Sequence, residues 1–238
     1  MKSIDKALYA ALAGLFDFPG PDYHAQARAL RDRVVAAGYA EAAAELRLFV
    51  DVIPDSANAL QELYTRTFEV QSLTTLGIGY VLFGDDYKRG DLLANLNREH
   101  TLVSNDCQGE LADHLPNVLR LIPLLTDEEL RGELVMELLL PALSLMIREF
   151  DAERVGKKNA NYQKHYKTLI EIPAGTDGTI FCRAFKAVLM IVSHDFDAIP
   201  PSAAELGARH KGSDFLGMLE KELEIESTAN PNNSGRDH

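Results

Sequence analysis

From Ile4 onward, apolar side chains recur at intervals of three and four, the spacing that gathers them on one face of an α-helix. Ile4, Ala7, Leu8, Ala11, Leu12 and Leu15 make the first stripe, and FPGPD at 18–22 breaks it. Asp22 stands where it can cap a second helix running to about Ala37, and Gly38 stops it, because glycine tolerates the left-handed backbone of a helix end. Residues 40–52 form a third helix with Ala43, Leu46, Phe49 and Val50 inward; after Pro54, Asp55 and Ser56, a fourth carries Leu60, Leu63, Tyr64, Thr67 and Phe68.

Residues 70–84, VQSLTTLGIGYVLFG, depart from this rhythm. Their Thr, Val and Ile content suits a strand, but no second strand exists to satisfy its backbone, so the stretch reads as a partly buried loop with a short helical piece. Asp85 or Asp86 opens the next helix, lined by Leu92, Leu93, Leu96 and Val103, and the polar stretch SNDCQGELADH follows at 104–114. Thr126 and Glu129 have the spacing of a capping box, and Leu130, Leu134 and Leu138 form the inner stripe behind it. Pro141 lacks the amide that a helix interior needs, so the chain either kinks or begins a new helix with Pro141 at its first position, and the new start is preferred. Beyond it, Leu143, Leu145, Met146, Ile147 and Phe150 are apolar nearly all round, the mark of a central helix. Tyr162, Tyr166, Leu169 and Ile170 give another stripe, and Ile180, Phe181, Ala184, Val188, Ile191 and Val192 a further one.

The expectation is an all-α fold of about ten helices joined by short connections. One globular helical domain spans 1–200, a marginal C-terminal helix lies within 201–226, and the tail 227–238 is too polar to pack and is expected to be disordered.

Charge narrows the partners. Lys and Arg number 24 against 36 Asp and Glu, for a net charge of −12, so a broad nucleic-acid surface meets phosphate repulsion. The same charge suits solubility, or a partner rich in Arg or Lys. Cys107 and Cys182 form no CxxC pair or zinc spacing, which fits a reducing compartment. No run reaches the roughly 18 apolar residues of a membrane span, and the N-terminal stripe lacks a signal-peptide cleavage pattern. A soluble, cytoplasmic protein is expected.

Nucleotide and hydrolase motifs are missing: no GxxxxGK, GxGxxG, GxSxG or HExxH occurs. Gly77, Gly79 and Gly84 fit no phosphate cradle and read as flexibility or tight packing. No two histidines fall at helical i, i+3 or i+4 spacing, so no helix carries a metal pair, and His100, His165 and His194 read as polar residues at an interface or on the surface. The sharpest cluster is Glu110, Asp113 and His114. Asp113 can cap a helix whose first turn holds His114, Leu115 and Pro116; recognition of a partner and acid/base catalysis stay open beside that. Tyr64 and Phe68 lie on an apolar stripe, where packing is their default use, while Tyr80, Phe83 and Tyr87 can line a groove for an apolar peptide helix with carboxylates at its rim.

LFDFPG at 15–20, YTRTF at 64–68, GDDYKRG at 84–90, ELADHLP at 110–116 and the apolar helix opened by Pro141 occur in that order. The set resembles the redox-enzyme maturation chaperones of the NarJ/TorD/DmsD type, most closely the NarJ branch that assembles nitrate-reductase-like enzymes. The resemblance covers roughly 4–195. It implies an all-helical, cytoplasmic, non-catalytic chaperone that binds the N-terminal segment of a molybdenum-enzyme catalytic subunit. Such a protein holds that subunit competent for insertion of molybdopterin guanine dinucleotide, keeps no cofactor stably itself, and in many cases delays twin-arginine export. Glu110, Asp113 and His114 match the family's E-x-x-D-H element, Tyr64 and Phe68 its Y-x-x-x-F element, and Arg89 with Gly90 a short RG step. The 73–86 loop departs from the Pro- and Trp-rich loop of the DmsD and TorD branches, and the chain has no Trp. Its aromatic lining is therefore assigned to Tyr80, Phe83 and Tyr87.

The reading taken forward is an assembly chaperone for a molybdenum oxidoreductase, a monomer or weak dimer with no nucleic-acid partner and no membrane span. Peptide binding is assigned to Tyr64, Phe68, Tyr80, Phe83, Tyr87, Arg89, Glu110, Asp113 and His114, with Glu110 and Asp113 meeting Arg or Lys of the partner. The rivals are a generic helical adaptor and an enzyme using Asp113 and His114.

Overall fold

Helices α1 (Lys6–Gly14), α2 (Tyr23–Ala36), α3 (Ala40–Val52) and α4 (Ala57–Phe68) form where the first four apolar stripes fall, in a computed structural model that describes residues 4–166, 177–202 and 205–206. Asp5 caps α1 by accepting the Ala7 and Leu8 amides at 3.0 and 3.1 Å. Ser56 caps α4, whereas Asp22 occupies the N-cap of α2 without a side-chain bond. Gly38 ends α2 at φ +87°.

The 70–84 stretch is a loop that closes into the short helix α5 (Ile78–Phe83). Asp86 then caps α6 (Tyr87–Leu102) through the Lys88 amide. After the polar loop come α7 (Leu115–Leu121) and a 3-10 turn at Ile122–Leu124. The next helix, α8 (Glu128–Glu133), starts one residue later than its capping box placed it: Asp127, not Thr126, accepts the Glu129 and Leu130 amides. Asp is the stronger competitor for free amides at that position.

Pro141 does not begin a separate helix. A π-helical segment (Leu134–Leu139) joins α8 to α9 (Leu140–Arg148) in one right-handed rod, with Pro141 in the first turn of α9. Wider i→i+5 bonding relieves the i−4 carbonyl that proline cannot serve. The register shifts as a result: Leu134 and Leu139 are buried, while Leu138 is only partly so.

Two further helices are α10 (Ala152–Tyr166) and α11 (Phe181–Asp195). α11 packs on α3 and α9, α1 on α2 and α7, and α5 is wedged against α6 and α9. At the centre Phe16 meets Phe185 with ring centroids 4.7 Å apart, and Phe68 meets Phe181 edge-on at 5.0 Å, the offset geometry that aromatic quadrupoles favour. Every member of the Ile180–Val192 stripe is buried. The chain is an all-α globule; among the described residues no strand forms, and no helix is long and apolar enough to cross a membrane. Cys107 and Cys182 are free thiols. Leu169 and Ile170, the helix expected near 214–225 and the tail at 227–238 lie outside the described residues.

Candidate functional site

α5 begins at Gly77, which has no side chain to satisfy the first free amides of the helix. They are taken instead by Asp113. Its backbone carbonyl accepts from Ile78 at 2.9 Å, and its Oδ2 accepts from Gly79 at 3.1 Å, 34 positions away in sequence. The Leu115 amide donates back to the Leu76 carbonyl at 2.8 Å, and Gly77 and His114 face each other in an isolated antiparallel bridge. Asp113 therefore does not cap its own helix. His114, in extended backbone and with no side-chain cap bond, is the N-cap of α7, and the Asp113 carboxylate is left to serve α5.

The approach is close because position 79 is glycine: a Cβ there would lie 2.8 Å from Asp113 Oδ2 and 3.0 Å from Leu92 Cδ2. Asp113 is fully buried. Arg89, in the first turn of α6, donates from Nε to Oδ2 at 3.3 Å while its guanidinium stands 5.1 Å from the centre of the Tyr80 ring. The other oxygen, Oδ1, is buried without a partner. Tyr80, Arg89, Asp113 and His114 are thus one cluster.

The loop that leads to it is pinned from beneath. Ser104, Gln108 and Gly109 adopt positive φ, and three polar side chains hold the turns. His100 Nε2 lies 3.0 Å from the Ala112 carbonyl, and its Nδ1 lies 2.8 Å from Asn105 Nδ2. Burial lowers the pKa of this imidazole below its ordinary value, so the neutral ring donates from Nε2 and accepts at Nδ1. Asn117 Nδ2 donates to the Leu111 and Cys107 carbonyls at 3.0 and 3.3 Å, and Asn105 Nδ2 reaches the Asn117 carbonyl at 3.2 Å.

What the loop presents is an exposed edge. Glu110 is exposed, Leu111 is 54% exposed, and His114 is half-buried. Burial pushes the His114 imidazole below its usual pKa, against the opposing pull of Glu110, Asp113 and Asp17. Asp17 is ion-paired with Arg120. Beside Asp17, Phe18 is exposed and sits edge-on to Tyr64 at 5.4 Å; Tyr64 is buried and donates to the Phe16 carbonyl at 2.9 Å. An open groove of about 470 Å³ between α1 and α2, floored by Ala10, Gly14 and Leu30, ends at Asp17.

The remaining sequence-assigned residues are dispersed. Phe68 belongs to the aromatic core, Phe83 packs half-buried on the core, and Tyr87 stands 76% exposed at the start of α6. Asp113, assigned to meet a partner's cation, has a carboxylate that is closed to solvent and already faces Arg89. Asp17, Phe18, Gly79, His100, Asn105, Asn117 and Arg120 were not singled out for the site. His100 had a readable signal: it continues the Leu92–Leu96–Val103 side of α6.

Chemically, a buried carboxylate fixed by an amide and a guanidinium is a structural clamp. The accessible groups are the carboxylates of Glu110 and Asp17 with apolar Phe18 and Leu111. Among the described residues no group of His, Cys, Asp and Glu is arranged to hold a metal ion. Comparison of the chain with protein-family models, with curated proteins and with solved structures gives no match.

Proposed function

We propose that the protein is a chaperone that captures the N-terminal segment of a molybdenum oxidoreductase catalytic subunit and holds it for insertion of molybdopterin guanine dinucleotide. The order of motifs from LFDFPG to ELADHLP supports the family reading. The observation that carries the binding mode is the clamped 110–114 edge, where exposed Glu110 and Leu111 are carried by a loop fixed to α5, α6 and α7. A preset edge loses little conformational freedom when a peptide docks. Glu110 and Asp17, both near His114, supply charge for an Arg or Lys, and Phe18 and Leu111 supply apolar contact. Asp113 and Arg89 shape the edge from inside.

The test is calorimetric titration with a synthetic peptide carrying two arginines followed by an apolar stretch. Wild type binds, and Glu110→Lys loses at least tenfold in affinity, about 1.4 kcal/mol. Equal binding of a scrambled peptide leaves only a generic adaptor; absence of binding sinks the proposal. Turnover of a small substrate that Asp113→Asn abolishes is the outcome that favours an enzyme instead.

A further inference from the structure

α10 carries a lysine on its inward face, between Val155 and Tyr162. Lys158 is fully buried, with Nζ 2.5 Å from Glu149 Oε2, and it donates to the Leu73 carbonyl. One turn further, Tyr162 donates to the Ser72 carbonyl at 3.0 Å. Tyr162 is itself held against α4 by Arg66, whose guanidinium lies 5.7 Å from the ring centre and which also bonds Asn159 at 2.7 Å.

These two carbonyls belong to the segment that enters the clamp. Its backbone has little regular support: the Leu73 and Thr74 amides both go to the Thr67 carbonyl, and Gln71 sits at φ +51°. Three residues after Leu73, the Leu76 carbonyl receives the Leu115 amide, and Ile78 and Gly79 meet Asp113. Only two residues separate Leu73 from Leu76, so a shift at Leu73 has few backbone dihedrals in which to dissipate before Leu76.

A buried Lys–Glu pair is a weak source of stability, since apolar residues of similar volume serve as well or better. What an apolar residue cannot do is hold a particular carbonyl. We infer that Lys158 and Tyr162 are positioning residues for the 110–114 edge, acting through the backbone of 72–79. The mechanical link stands independently of what the edge binds; its use in recognition rests on the proposed function.

Amide hydrogen exchange on the full chain tests the link. Tyr162→Phe removes one hydroxyl, and Lys158→Met with Glu149→Leu replaces the ion pair by apolar groups. Both are expected to speed exchange at Ile78, Gly79 and Leu115 at least tenfold, while amides of α3 keep wild-type rates. Leu46→Ala, a core truncation in α3, serves as the control for general loosening. Acceleration confined to 72–74, or equal acceleration everywhere in the Tyr162 and Lys158/Glu149 variants, overturns the inference. In the titration above, a peptide that binds wild type loses affinity to the Tyr162→Phe protein. Failure of that peptide to bind wild type removes the chaperone reading and leaves the exchange result to decide the link.

Discussion

Asp113 and Glu149 are both buried carboxylates at helix ends, yet they are neutralised in opposite ways. Around Glu149 stand Lys158 at 2.5 Å, Arg154 at 2.7 Å and Arg148 at 3.9 Å. Asp113 has one guanidinium at 3.3 Å and otherwise relies on an amide at the start of α5. A carboxylate ringed by side-chain cations is closed to solvent, and one of those cations, Lys158, also holds the Leu73 carbonyl. One held largely by backbone leaves its neighbours, Arg89, His114 and Glu110, partly open to solvent. The first arrangement braces the 72–79 backbone from within, and the second can serve an exposed edge directly.

The sharpest way to separate them is to delete each charge. Glu149→Leu strands several cations and is expected to cost about 3–5 kcal/mol in urea unfolding; adding Lys158→Met regains at least about 1 kcal/mol, because the most buried cation goes too. Asp113→Leu is expected to cost a similar amount, but adding Arg89→Met regains less, since the Gly79 amide stays orphaned. Equal recovery in the two double variants erases the distinction.

Gly79→Ala comes next. A Cβ set 2.8 Å from the Asp113 oxygen forces the clamp apart, at roughly 1–3 kcal/mol, the range of core overpacking. The same change at Gly132, where a Cβ meets nothing within 4 Å, is the control and is expected not to destabilise.

A smaller effect is pH-dependent. Burial lowers the pKa of His100 below the 6.5 of a free imidazole, so the unfolded chain takes up its proton at a higher pH than the folded one. The contribution of His100 is fully present above pH 6.5 and is lost as pH falls through that value toward the folded pKa. Unfolding midpoints measured from pH 8 to pH 5 should fall, and His100→Gln should flatten the slope. The smallest effect belongs to an exposed pair of the same chemistry: Arg33 and Asp5 meet at 2.7 Å with side chains 43% and 49% exposed. Arg33→Ala is expected to cost under about 1 kcal/mol and to cost less still in high salt.

Most of the fold was legible because it is local. The α3 bounds, the α4 stripe and the whole inner face of α11 follow from spacing, and the short helix inside 70–84 from the want of a second strand. What escaped was non-local. Nothing near Asp113 in sequence says that its carboxylate serves a helix 34 positions earlier, although the glycine at 79 was legible as a tight-packing candidate. Lys158 sits four positions before Tyr162 on the buried face of α10, yet a lysine there reads as solvated until Glu149 is brought beside it. The site was legible as a stretch, 110–114, but the division of labour within it was not. Whether a carboxylate faces solvent or an arginine depends on where another helix ends.

The π-helical turn at Leu134–Leu139 has a consequence for how this chain can change length. A π turn holds one residue more than the α turn it replaces, and removing that residue rotates everything beyond it by about 100° about the rod axis. In most core helices such a rotation turns the buried face to water. Here the piece on one side of the turn, α8, buries none of its residues, whereas α9 buries six. With α9 seated, α8 is the part that swings, so the rod can lose a residue at this turn while α9 keeps its buried face.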